Sequence, residues 1–110
     1  MSPKNYISDS DREALYRARM IQETARIAWK ELQRFFASGV VIVVSPELDL
    51  VEVAFQISED NAAQVAEWMT TGQIGKVSDA QAQEWYETDA LVWAVVTSPY
   101  VLVQDSGKLQ

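Results

Sequence analysis

The stretch LVWAVVTSPYVLVQ, residues 91–104, decides the fold of this chain. Strong β-forming residues lie on both sides of Thr97-Ser98-Pro99, and this pattern predicts a β-hairpin. A second run, VVIVV at residues 40–44, is too short for a helix and apolar on both faces, which is typical of a central, doubly covered strand. Together the two stretches predict a small, mainly antiparallel sheet.

The N-terminal third favours one long helix over residues 10–36, because good helix formers fill it and neither Gly nor Pro interrupts it before Gly39. Ser8 or Ser10 could cap this helix. Small and apolar residues recur in steps of four and three and predict a buried stripe: Ala14, Leu15, Ala18, Ile21, Ala25, Ala28, Trp29, Leu32, Phe35 and Phe36. Such a helix measures roughly 40 Å, longer than a domain of this size. We therefore expect either a frayed first turn or an early half that packs on a second copy.

A short helix is predicted to begin at Ser45-Pro46-Glu47, since Ser is a good N-cap and Pro suits the first helical position. Residues 48–57 remain ambiguous. Leu50, Ala54 and Ile57 share a helical face, but the alternation through Val51 and Val53 also fits a strand, which would make residues 40–57 a hairpin.

Two more short helices follow along the chain. Residues 62–71 form an amphipathic pattern that directs Val65, Trp68 and Met69 inward, with Gly72 as the terminating residue. Residues 73–77 read as an extended link. Ser78 then caps a helix that runs through residue 86 and carries Trp85 on its apolar side.

These elements predict an α+β fold in which a long N-terminal helix packs on a mainly antiparallel sheet, formed by the central strand and the C-terminal hairpin, with short helices covering the other side. The predicted organisation is a flexible N-terminus at residues 1–9, a single domain at residues 10–105 and a loose tail at residues 106–110.

The amino-acid composition limits the classes of function that this chain can have. The 110 residues contain neither His nor Cys, the residues behind most near-neutral proton transfer and soft-metal ligation. The net charge is −7, with seven of the nine bases before Phe35, so residues 1–34 carry +2 and the remainder −9. The acidic remainder disfavours nucleic acid as a partner. The division of charge predicts a basic-faced helix against an acidic body, and the alternative is an acidic face that binds a basic protein. No apolar run suits a signal peptide or membrane span, which indicates a cytoplasmic protein.

A group of carboxylates offers a possible site: Glu47, Asp49 and Glu52, with Glu59 and Asp60 nearby. Oxygen ligands of this kind could hold a divalent ion, or the same carboxylates could act as a general acid/base pair. However, the spacing fits no EF-hand loop and lacks its glycine. Charge at a helix start explains these acids more simply.

The chain is also rich in large rings: Trp29, Trp68, Trp85, Trp93 and Tyr100. Most of them are expected in the core. One or two exposed rings beside acidic surface would instead form a pocket for a peptide that is basic and aromatic.

A family resemblance rests on four runs: ETARIAWKEL at residues 23–32, FASGVVIVV at 36–44, LDLVEVA at 48–54, and WAVV at 93–96 followed by Pro99 and VLVQ at 101–104. Residues 22–105 resemble the bacterial family known as domain of unknown function 2288. The resemblance implies no activity, substrate or cofactor. Residues 1–20 extend beyond the part that carries it.

We therefore predict a non-enzymatic protein-interaction module that forms a homodimer and needs no cofactor. Its expected contact surface comprises Ala14, Ala18, Ile21 and Ala25, with a strand edge that begins at Tyr100. The alternative is a small carboxylate enzyme or a divalent-metal protein that uses Asp49 and Glu52.

Overall fold

The computed structural model describes residues 8–106, which form five α-helices, one 3-10 turn and five strands. The helices are α1 (Asp9–Glu23), α2 (Gln33–Ala37), α3 (Leu50–Ser58), α4 (Ala62–Thr70) and α5 (Asp79–Glu87). The strands are β1 (Ala25–Ala28), β2 (Val41–Val44), β3 (Ile74–Lys76), β4 (Leu91–Thr97) and β5 (Tyr100–Asp105). The 3-10 turn covers Trp29–Leu32. The predicted α+β class is confirmed.

The five strands form one mixed sheet in the order β1-β4-β5-β2-β3. Every pair is antiparallel except β2 and β5, which run parallel with Ile42 opposite Leu102. The hairpin of β4 and β5 is confirmed, and β2 lies inside the sheet as predicted. The central strand is β5, however, because β2 pairs with it on the side away from β4.

The core has two parts, one on each face of the sheet. The α3 side contains Met20, Val44, Leu50, Val53, Ala54, Trp68, Ile74, Val95 and Leu102. The Trp29 side contains Trp29, Leu32, Val41, Val77, Ala82, Trp85, Val92, Val101 and Val103. Alternate residues of β5 enter the two parts, as the two-residue period of a strand requires. Helices α3 and α4 share the face of α1, and within residues 8–106 the opposite face is covered by α2, α5 and the 3-10 turn.

The single helix predicted over residues 10–36 is wrong, because α1 ends at Glu23. Thr24 takes an extended conformation, and its backbone N–H and its hydroxyl both donate to the carbonyl of Met20, the latter at 2.6 Å. Ala25–Ala28 then pairs with β4. Pairing at the sheet edge outweighs the helix propensity of these alanines, which is a weak preference. Ser8 caps α1 as predicted, by accepting from Asp11 N–H.

The start of α3 also differs from the prediction. Ser45 does not cap it; residues 45–48 form a turn, and Asp49 is the N-cap, accepting from the N–H groups of Val51 and Glu52. Residues 50–58 are helical, which settles the ambiguity against a strand.

The remaining short elements follow the sequence closely. Asn61 and Ser78 cap α4 and α5, and Gly72 adopts the left-handed conformation after α4. The predicted link at residues 73–77 contains the edge strand β3. Most of the predicted flexible N-terminus and loose tail, residues 1–7 and 107–110, lies outside the described residues. Within the described part, Ser8 and Asp9 begin α1, and the Ser106 hydroxyl donates to Leu91 O at 2.7 Å.

Candidate functional site

The predicted carboxylate group is not assembled into a site. Asp49 serves as the cap of α3, Glu52 binds Arg17 and accepts from Gln56 Nε2 at 2.7 Å, and Glu47 is exposed. Within residues 8–106, no three acidic side chains are placed to hold one metal ion. The charges of Asp49 and Glu52 are thus used to begin α3 and to dock α1.

Arg17 is the centre of that docking contact. Its guanidinium binds Glu13 at 2.7 Å and Glu52, and it lies 5.0 Å from the ring centre of Phe55. The hydrogen bond to Glu52 raises the pKa of Arg17. Beside it, the Tyr16 hydroxyl donates to Ala54 O at 3.1 Å. These contacts direct one face of α1 against α3 and therefore leave the opposite face in solvent.

That opposite face is apolar. We define the outer face of α1 as Ala14, Leu15, Ala18 and Ile21. All four are exposed, Leu15 by 61% and Ile21 by 63%. Three of the four residues predicted as a contact surface lie here. Ala25 is exposed too but belongs to β1. Of the stripe predicted as buried, Trp29 and Leu32 are buried, and Ala28, Phe35 and Phe36 are partly buried.

Tyr100 occupies a different surface. Its strand β5 is paired on both sides, so the predicted free edge at residues 100–104 is wrong: the sheet edges are β1 and β3. Parallel pairing of β2 with β5 covers the edge that the hairpin alone would expose. Tyr100 is partly exposed and lines a groove beside α4.

We call this feature the α4 groove. It has a volume of about 460 Å³. Its lining comes from four parts of the chain: Ile42, Ile57, Asp60, Asn61, Ala62, Val65, Ala66, Met69, Ile74, Gly75, Lys76 and Tyr100. Met69 was predicted to point inward, but it is 59% exposed at the mouth. No local sequence pattern predicts this groove, because strand pairing brings Ile42, Lys76 and Tyr100 together.

The large rings divide as predicted, with most in the core. Trp29, Trp68 and Trp85 are buried, whereas Trp93 is 37% exposed and lies 5.6 Å from the guanidinium of Arg26. Because that ring is already covered by a cation of its own chain, it presents no free pocket for a basic peptide.

The contact between Arg12 and Glu59 gives a pH prediction. The hydrogen bond from Arg12, at 2.9 Å, lowers the pKa of Glu59 below its ordinary value of 4.5. A carboxylate whose pKa is lower in the folded state stabilises the fold when the pH is above its pKa in the unfolded state. This stabilisation is lost as the pH falls through its pKa in the folded state. With no His to titrate, we expect a flat melting temperature between pH 5 and 8 and a decline below about 4.5.

Thermal melts of Glu59→Gln test this expectation, since the variant should lose part of the acid-side decline. Glu47→Gln, at an exposed carboxylate without an ion pair among the described residues, is the matched control. An inflection near pH 6 to 7 would contradict the prediction and would reveal a carboxylate with a strongly raised pKa.

Within residues 8–106, no helix is both long and apolar enough to cross a membrane. The architecture defines a small α+β protein with a mixed five-stranded sheet and helices on both faces. The chain belongs to the family described as protein of unknown function (DUF2288), whose model matches residues 15–105. The match includes most of α1, so the family begins earlier than the resemblance predicted. A search of curated proteins gives no match.

A solved structure is similar to this fold. It is the NMR solution structure of PA1075 from Pseudomonas aeruginosa, with 37% sequence identity and a TM-score of 0.75. The alignment covers 94% of this chain and 95% of that chain. Neither comparison carries an activity.

Proposed function

We propose that this protein is a non-enzymatic, cytoplasmic interaction module that pairs with a second copy through the outer face of α1. The observation that carries the proposal is the exposure of Leu15 and Ile21, which are more than half exposed on one side of a helix whose other side is docked. Burying such a side chain fully is worth about 1.5–3 kcal/mol. Two copies would bury four of them.

The order of residues on this face suits an antiparallel, two-fold pairing centred on Ala18. Leu15 and Ile21 lie three residues on either side of Ala18, so each Leu15 meets Ile21 of the second copy. Alanine at the crossing point permits a close approach of the two helices. A closed two-fold dimer is the commonest form of self-association.

Charge complementarity supports the same arrangement. Asp11 lies on the exposed side of α1, two turns before Ala18, and antiparallel pairing places it just beyond the end of the second copy's α1, where the chain continues into β1 with Arg26. Arg26 has no acidic partner among the described residues, and its guanidinium lies over the Trp93 ring. Asp11 would therefore gain a cation in the dimer. A parallel pairing would instead place like residues together.

Sedimentation across the micromolar range tests the proposal. We expect the wild type to dimerise and Ala18→Glu or Leu15→Glu to remain monomeric with unchanged helical circular dichroism, because both positions are exposed in one copy. Ala63→Glu, at an exposed position of α4, is the matched control and should dimerise normally. A wild type that stays monomeric, or an equal effect of Ala63→Glu, would contradict the proposal.

The pairing direction has its own test. Asp11→Arg and Arg26→Glu should each weaken the dimer, and the double variant should recover part of the lost affinity. Additive losses in the double variant would exclude the antiparallel contact. The predicted basic partner of the acidic surface stays a prediction, since no contact of the described residues identifies it.

The rival hypothesis, a carboxylate enzyme or metal protein, needs Asp49 and Glu52 to be available. Their engagement with the start of α3 and with Arg17 supports the interaction module instead. Calorimetric titration with Ca²⁺ or Mg²⁺ separates the two hypotheses. Saturable heat that Asp49→Asn abolishes would favour the rival.

A further inference from the structure

The α4 groove is distinct from the outer face of α1. Helix α1 packs on α3 and β4, whereas α4 packs on α3 and β3, so α3 separates the two surfaces. The floor of the groove consists of Ile42, Lys76 and Tyr100 from three neighbouring strands, and α4 forms its wall. A volume of about 460 Å³ lies within the range of small-molecule sites, about 300–1,000 Å³.

Lys76 is the cation at this groove, and it is unusual in the charge layout. Within residues 8–106, Arg12, Arg17, Arg19 and Lys30 form ion pairs, and the guanidinium groups of Arg26 and Arg34 lie over aromatic rings. Lys76 alone among these described cations has neither kind of contact. It is also the one basic residue between positions 35 and 107.

We propose that the α4 groove binds a small amphipathic carboxylate, with an apolar chain against Ile42, Val65 and Met69 and its carboxylate on Nζ of Lys76. The apolar lining selects the chain by burial, and the free ammonium selects the charge. A hydrogen bond between two ionised groups is about twice as strong as a neutral one. The ligand thus supplies the anion that no described side chain gives to Lys76.

Asp60 tunes this selectivity from the other part of the lining. Its carboxylate lies between α3 and α4 and repels an anionic ligand, as does the net charge of −7. At physiological ionic strength salt largely screens charges that are more than about 8 Å away, so Asp60, which lines the groove, contributes more to that repulsion than distant carboxylates do. Decanoate should therefore bind more tightly to Asp60→Asn than to the wild type.

Amide NMR titrations with three probes of equal chain length test the site: decanoate, decanol and decyltrimethylammonium, all below micelle formation. We expect saturable shifts at Ile42, Met69 and Tyr100 with decanoate, weaker ones with decanol and the weakest with the cation. Equal affinity for decanoate and decyltrimethylammonium, or shifts centred elsewhere, would overturn the proposal.

Matched variants test whether the charge of Lys76 binds the carboxylate of the ligand. Lys76→Met keeps the aliphatic stem and should weaken decanoate binding by about tenfold, the scale of a lost hydrogen bond to a charged group. Lys30→Met, at a lysine paired with Asp89, should leave binding unchanged. Met69→Glu, at an exposed position, should abolish binding without lowering the melting temperature. Decanoate binding that survives Lys76→Met unchanged would overturn the role of Lys76, and with it the proposal.

Discussion

Replacing Trp29 by alanine is expected to destabilise the protein by about 3–5 kcal/mol, a large part of the about 5–15 kcal/mol typical of a folded domain. Trp29 is 0% exposed and begins the 3-10 turn after β1. Its ring centre lies 5.0 Å from that of Trp85 and 5.6 Å from that of Phe36, both in edge-to-face geometry. Removal of the ring therefore opens a cavity and breaks two aromatic contacts.

Urea unfolding measures this loss, with the fluorescence of Trp68, Trp85 and Trp93 as the signal. A loss below about 1 kcal/mol, the scale of surface substitutions, would contradict the burial of Trp29. Trp29→Phe is the informative control. It retains a ring and removes an indole N–H that has no hydrogen-bond partner in the described part of the chain, so it should cost only about 1–2 kcal/mol.

The position of Trp29 shows what a sequence can and cannot predict here. Its burial follows from size and hydrophobicity, and the sequence predicted it correctly. The single long helix that was predicted to include Trp29 ends before it, at Glu23. The helix propensity of Ala25, Arg26 and Ala28 favours a helix, but pairing with β4 makes this segment a strand. The sequence near residues 25–28 does not show that β4 will pair with them.

The turn at residues 45–48 has a similar explanation. Ser45 and Asp49 are both good caps, and Pro46 favours the earlier one. Gln104 Nε2 donates to the carbonyls of Ser45 and Leu48, at 2.8 and 2.7 Å, and so stabilises a turn there instead of helix. A residue more than 50 positions away thus selects the cap.

The two candidate surfaces differ in the same way. The outer face of α1 is local, so its residues share a helical period, and Ala14, Ala18 and Ile21 were predicted as a contact surface from their spacing alone. The α4 groove is lined by four segments of the chain and depends on the parallel pairing of β2 with β5. No sequence pattern predicts that pairing. The one available signal was Lys76, an isolated base in an acidic stretch.

The second large effect is expected at Leu102, where alanine should cost about 2–5 kcal/mol. Leu102 is 0% exposed on the central strand, and its side chain joins Val95, Val44 and Val53 on the α3 side. Strands on both sides of β5 and α3 above it leave little freedom for the cavity to collapse. Ile42, its partner in β2, would lose a neighbour as well.

Leu15→Ala is the matched control, because it makes the same change at a leucine that is 61% exposed. Its free energy of unfolding should fall by less than about 0.5 kcal/mol when both variants are measured at concentrations too low for pairing. At higher concentration Leu15→Ala should lose the stabilisation that dimer formation adds, whereas Leu102→Ala should retain it. Equal losses at low concentration would mean that the sheet centre is not packed as described. The comparison therefore separates a leucine that stabilises the single chain from one that is exposed until a second copy covers it.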